Sequence, residues 1–146
     1  MNGMIHTCGI CGQKNRIGAA HLASTARCGK CKAAIGPLAA PIDADAEVFE
    51  DVRQSATVPV LVDFWAAWCG PCRAAAPEVR RVASSMAGRA IVLKVDTDRH
   101  PELAGKYGVQ GIPNFLVLKG GLVAHQHAGV VGHDQMVGWL ERAANS

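Results

Sequence analysis

The sequence predicts an α/β protein, a mixed central sheet with helices on both faces, preceded by a small module built on cysteines. Two observations carry this expectation. From Asp43 onward, helically spaced apolar residues alternate with short apolar runs in the order α-β-α-β-α-β-β-α, a pattern that layers helices on either side of a sheet. Before Asp43 there are four cysteines and little periodic apolar pattern. The 146 residues leave room for one ordinary domain plus an appendage. The expected division is a module at 1–35, a linker at 36–42 and the main domain at 43–146.

Each element of the main domain has a local cause. Gly36-Pro37-Leu38-Ala39-Ala40-Pro41-Ile42, with two prolines and a glycine, reads as a linker or a short irregular edge strand. Asp43 or Asp45 can cap a helix carrying Val48, Phe49 and Val52. Val58 to Trp65 is a nearly unbroken apolar run, expected of a strand covered on both faces. A helix follows Cys69 to about Met86, with Pro77 bending it. Ala90 to Val95 is a second buried strand, and Pro101–Tyr107 a short helix. Phe115–Leu118 and Leu122–Gln126 flank Lys119-Gly120-Gly121, a tight hairpin signal. Met136, Val137 and Leu140 mark a C-terminal amphipathic helix.

Charge is unevenly distributed. No acidic residue precedes Asp43, whereas Lys14, Arg16, Arg27, Lys30 and Lys32 do, and the whole chain carries a formal +3. Four thiolates and one divalent cation would bring the first segment from +5 to about +3, mild for a nucleic-acid binder. Nothing at the start resembles an export signal, and no apolar run approaches the ~20 residues of a membrane helix. The sequence therefore reads as cytoplasmic, a monomer without membrane or nucleic-acid partners.

All six cysteines fall in Cys-x-x-Cys pairs: Cys8/Cys11, Cys28/Cys31 and Cys69/Cys72. In a reducing compartment such pairs more often bind metal or do redox chemistry than form structural disulfides. The first two pairs are sixteen residues apart, a spacing that suits four thiolates closing around a structural Zn²⁺, one per chain. Gly9, Gly12 and Gly29 are expected to let the turns bend around the metal. A module this small lacks an adequate core, so the metal would supply most of its folding energy. Two disulfides, or a redox-sensing switch, are the alternatives at these positions. His6 and His21 lie close enough in sequence to compete as ligands. His100, His125, His127 and His133 read as loop or surface residues.

The third pair lies in Val62-Asp63-Phe64-Trp65-Ala66-Ala67-Trp68-Cys69-Gly70-Pro71-Cys72, which resembles the active-site segment of thioredoxins almost letter for letter. Gly111-Ile112-Pro113 resembles their second signature, and the likeness runs from about Asp43 to Ala143. It implies the thioredoxin fold and a thiol–disulfide oxidoreductase that reduces protein disulfides. Cys69, at a helix start where free N–H groups favour a thiolate, would attack, and the more buried Cys72 would resolve. Pro71 suits the first helical turn. Asp63, a carboxylate inside an apolar strand, would have a raised pKa and take the Cys72 proton, with Lys94 of the neighbouring strand modulating it. Pro113 resembles the family's cis-proline, so the Ile112 backbone would pair with an extended substrate segment, beside Trp68, Gly70 and the open backbone of Gly129. Asn114 stands where threonine is common, and Ala67 where an acidic residue or proline is.

The resemblance implies an NADPH-dependent, flavin-containing thioredoxin reductase as partner, with disulfide-containing proteins as substrates. Gly70-Pro71 resembles reducing members rather than oxidases or isomerases. The N-terminal cysteine pairs, with Asn15-Arg16 after the first, are similar to those of the zinc-carrying second thioredoxins of bacteria. A competing reading makes the module the main business, as a nucleic-acid or protein adaptor with an accessory redox domain.

Overall fold

The computed structural model describes residues 3–146. Two small antiparallel hairpins come first, β1 (Gly3–Thr7) with β2 (Lys14–Gly18), and β3 (Ala26–Arg27) with β4 (Ala34–Ile35). A single 3-10 turn, Ala19–His21, joins them. The hairpins are copies of one backbone design. Cys8 N–H bonds Gln13 O and Gly12 N–H bonds Cys8 O, while Cys28 N–H bonds Ala33 O and Lys32 N–H bonds Cys28 O. The residue after each second cysteine is left-handed, Gly12 at φ 78° and Lys32 at φ 66°. Gly9 and Gly29, expected to ease these turns, are not among the positive-φ residues. The bend falls one place beyond the Cys-x-x-Cys unit, and at the second knuckle a lysine adopts it.

The main domain runs β5 (Ile42–Asp43), α1 (Ala46–Ser55), β6 (Val60–Trp65), α2 (Gly70–Ser85), β7 (Ile91–Asp96), α3 (Pro101–Lys106), β8 (Asn114–Lys119), β9 (Leu122–Ala128) and α4 (His133–Ala144). The strands form one five-stranded sheet in the order β5-β7-β6-β8-β9. β6 pairs parallel with β7 and antiparallel with β8, so it is central and covered on both faces, as its apolar run requires. Asp45, not Asp43, caps α1, its carboxylate accepting the Val48 N–H at 2.8 Å. Gly120 (φ 60°) and Gly121 (φ 80°) both adopt left-handed conformations to turn the β8–β9 hairpin.

Alternating strand residues feed two cores. Leu61, Val92, Phe115 and Val117 pack with Val79 and Val82 of α2 and Met136, Trp139 and Leu140 of α4. On the other face Val62, Phe64, Leu93 and Leu116 pack with Phe49 and Val52 of α1 and Leu103 of α3. This second core does not stop at the domain edge. Cys8, Ile17, Leu22, Cys28 and Ile35 of the N-terminal module belong to the same apolar cluster. The module is seated on the sheet domain through a shared interior.

Two histidine expectations change. His125 and His127, half-buried on β9, pack at a tilt against Trp139, with ring centroids 4.6 and 5.3 Å away. His133 opens α4, and its Nε2 lies 2.7 Å from Ser85 Oγ at the end of α2. Their polar ring atoms hide this packing role from a reading based on hydropathy.

Candidate functional site: a disulfide at a helix start and a four-cysteine cluster

Cys69 and Cys72 are joined by a disulfide, with Cα atoms 5.3 Å apart. The fold places this pair where β6 ends and α2 begins. Cys69 is the N-cap of α2, and its Sγ accepts the Cys72 N–H at 3.1 Å. Pro71 occupies the first turn, where its missing N–H costs nothing. Cys69 Sγ also lies 3.7 Å from the carbonyl oxygen of Ile112. The Ile112–Pro113 peptide is cis. The expected contrast in exposure is absent from the disulfide form, in which Cys69 is 3% and Cys72 4% exposed. Trp65 and Ile112 pack against the buried group of Ala66, Cys69 and Cys72, so position at the helix start, not exposure, distinguishes the two cysteines.

The rim is open. Trp68 is 68% exposed, its indole N–H donating to Asp98 at 3.0 Å. Gly70, Pro71 and Gly111 are exposed as well. Gly129 holds the far side: its N–H donates to Pro113 O at 2.9 Å. At φ 105°, with nothing within 4 Å of where a Cβ would stand, it needs glycine for conformation rather than space.

Asp63, on β6, is buried, 1% exposed, with Oδ1 lacking any hydrogen-bond partner. Burial pushes its carboxyl up to about 7, against the opposing pull of the Lys94 charge. Asp63 and Lys94 are register partners on β6 and β7. Lys94 Nζ sits 4.5 Å from the centre of the Trp65 ring. Lys94 and Trp65 line a cavity of about 470 Å³ together with Asp43, Asp45, Asp96 and Arg99.

The second constellation is the knuckle pair. The sulfurs of Cys8, Cys11, Cys28 and Cys31 all lie within 4.8 Å of one another, and among the described residues this is the cluster fit to hold a metal ion. Neither His6 nor His21 belongs to it. Two close separations run between knuckles, Cys8 to Cys31 at 3.7 Å and Cys11 to Cys28 at 3.6 Å. A tetrahedron with Zn–S bonds of ~2.3 Å has sulfur edges of ~3.8 Å, so the donor set fits zinc with no position left open. Backbone N–H groups bond the sulfurs, Ile10 to Cys8 and Lys30 to Cys28, each at 3.4 Å. The Cys28 thiol is held down at about 5 by the Cys31 N–H, then by the Asn15 carboxamide and the Lys30 N–H. Asn15 is the polar residue here whose contact with the cluster the sequence does not announce.

A disulfide capping a helix, a buried carboxyl on the strand that leads into it and an open backbone rim suit a dithiol–disulfide exchange protein. The thioredoxin family model matches residues 39–142, and the chain belongs to the thioredoxin family. It is a thiol–disulfide oxidoreductase of the protein-disulfide reductase class. It is 41% identical to a thioredoxin of Synechocystis sp. over 104 residues, 71% of this chain and 96% of that one. It is 32% identical to thioredoxin C-3 of Corynebacterium nephridii over 139 residues, 95% of this chain and 94% of that one. Among solved structures, chloroplastic thioredoxin z superposes with a TM-score of 0.68 at 28% identity, covering 73% of this chain and 96% of that one. Among the described residues no helix is long and apolar enough to cross a membrane.

Proposed function

We propose that this chain reduces disulfides of cytosolic proteins through the Cys69/Cys72 dithiol. An NADPH-dependent, flavin-containing thioredoxin reductase would then return the resulting disulfide to the dithiol. The observation that carries the reading is the disulfide at the start of α2, together with a buried and unpartnered Asp63 on the preceding strand. In the dithiol form the Cys69 thiolate attacks one substrate sulfur and expels the other as a thiolate, leaving a mixed disulfide. Cys72 loses its proton to Asp63 and attacks Cys69 Sγ. The second substrate thiol departs, and the two electrons come to rest on the substrate. A carboxyl near 7 can take that proton at neutral pH and release it afterwards. Lys94 tunes it by charge. Trp68, Gly70, Pro71, Ile112, Pro113 and Gly129 form the substrate rim, on which an extended segment pairs with the Ile112 backbone.

The chain reads as a monomer of the cytoplasm, divided into a module at 1–35, a linker at 36–42 and the redox domain at 43–146. Its N-terminal module makes it a zinc-carrying second thioredoxin, with Cys8, Cys11, Cys28 and Cys31 as the four ligands. Bound there, zinc supplies structural cross-linking and no redox step. The alignment with thioredoxin C-3 covers 95% of the chain and so reaches into this module, which supports the assignment. Trapping tests the exchange mechanism. Cys72→Ser leaves Cys69 able to attack but unable to be resolved, so covalent mixed disulfides should accumulate on Cys69 and be found there by mass spectrometry. Turnover of Cys72→Ser at the wild-type rate would overturn the role assignment.

A further inference from the structure

The two knuckles repeat with an offset of twenty residues, Cys8 onto Cys28, Cys11 onto Cys31 and Gly12 onto Lys32. In both, the first cysteine sulfur accepts one N–H from the residue two places on, at 3.4 Å. Side chains differ at several of the paired positions, and one of these differences reaches the cluster. The position equivalent to Ile35, buried and apolar on β4, is Asn15 on β2. Their strand partners correspond too, His6 for Asn15 and Ala26 for Ile35.

Asn15 spends its whole carboxamide on the cluster. One Nδ2 hydrogen goes to Gln13 O at 3.1 Å in the first knuckle, the other to Cys28 Sγ at 3.5 Å in the second. Oδ1 accepts the Gly29 N–H at 2.9 Å. Among the described residues it is the one non-cysteine side chain hydrogen-bonded to a cluster sulfur, and it bridges the two hairpins.

We propose that Asn15 is a positioning residue of the metal centre: it clamps the second knuckle to the first and gives Cys28 Sγ a donor that offsets thiolate charge, so that the metal leaves slowly. The proposal rests on the zinc reading above. Four thiolates around Zn²⁺ carry a net −2, and N–H donors to sulfur moderate that excess where water does not reach, as at the fully buried Cys28. Partners of this kind, behind the ligands, typically govern metal retention by 10–100-fold. An alanine would remove both functions. An aspartate would keep the shape and the Gly29 contact but set an anion against a thiolate in place of a donor.

The test uses the full chain, purified under reductant with zinc and without chelator, as wild type, Asn15→Ala and Asn15→Asp. Zinc per chain is measured by mass spectrometry, and zinc release by transfer to a chromogenic chelator. Cobalt-loaded samples report the thiolate-to-metal absorption bands, which sense the donor at sulfur and not the fold in general. Wild type should hold one zinc, and both variants should release it on the order of 10–100 times faster, Asn15→Asp at least as fast as Asn15→Ala. The cobalt bands should move to lower energy in both. If Asn15→Ala does not fold, Asn15→Asp decides alone. Wild-type release and wild-type bands in Asn15→Asp would overturn the proposal while leaving the zinc reading intact. A wild type that binds no zinc would overturn both.

Discussion

Asp63 shows how a single residue joins sequence, stability and function. A carboxylate in the middle of an apolar strand is visible in the sequence, and the structure buries it with an unpartnered oxygen and a carboxyl near 7. An unfolded aspartate ionises near 4, so between about pH 4 and pH 7 the folded chain keeps a proton that the unfolded chain has released. Stability therefore falls as pH rises through that window, and the full cost is present above about pH 7. Asp63→Asn removes the titration. Denaturant titrations should find it more stable than wild type by ~2–4 kcal/mol at pH 8, with the difference closing by pH 4. Its mixed disulfides should resolve more slowly. A stability difference independent of pH would show that ionisation of Asp63 is not the cause. Asn15 enters the sequence reading only through its place beside Arg16 after the first knuckle, whereas its bond to a sulfur does not enter it. Only the packing of two hairpins brings its carboxamide to Cys28 Sγ.

At the scale of elements, legibility tracks length and period. β6, β7 and β8 announce themselves through apolar runs, and the β8–β9 turn through Gly120-Gly121. The hairpins of the module do not, because strands of two to five residues held at their turns by cysteines need no apolar alternation. Their turn chemistry carries a prediction. Lys32 occupies, at φ 66°, the position that Gly12 fills in the first knuckle. The left-handed region costs a side chain ~1–2 kcal/mol, partly offset by the greater freedom glycine has when unfolded. Lys32→Gly should stabilise the module by ~0.5–1 kcal/mol, measured as an upward shift in its denaturation midpoint. A downward shift would mean that the hydrogen bond from Lys32 Nζ to Gly29 O outweighs the backbone effect. The half-buried histidines of β9 belong here as well, since alternation marks their strand while their polarity misassigns their face.

For the molecule as a whole, the shared interior is what the sequence conceals most completely. The apparent break at 36–42 suggests independent units, yet Leu22, 1% exposed, and the buried Cys8 and Cys28 lie in the apolar cluster that also contains Phe49, Phe64 and Leu93. Removing the metal should therefore disturb more than the knuckles. Chelation under reductant should unfold the module, expose apolar surface around Leu22 and lower the melting temperature of the redox domain. An unchanged domain melting temperature in the metal-free protein would show that the interior is not shared energetically. The proposed function nonetheless divides the duties: four cysteines for structure and two for electron exchange. Cys69→Ser tests that division most directly, with insulin disulfide reduction and zinc content measured on the same sample. The variant should lose disulfide reduction and keep one zinc per chain. Retained reduction, or loss of the zinc together with the activity, would contradict it.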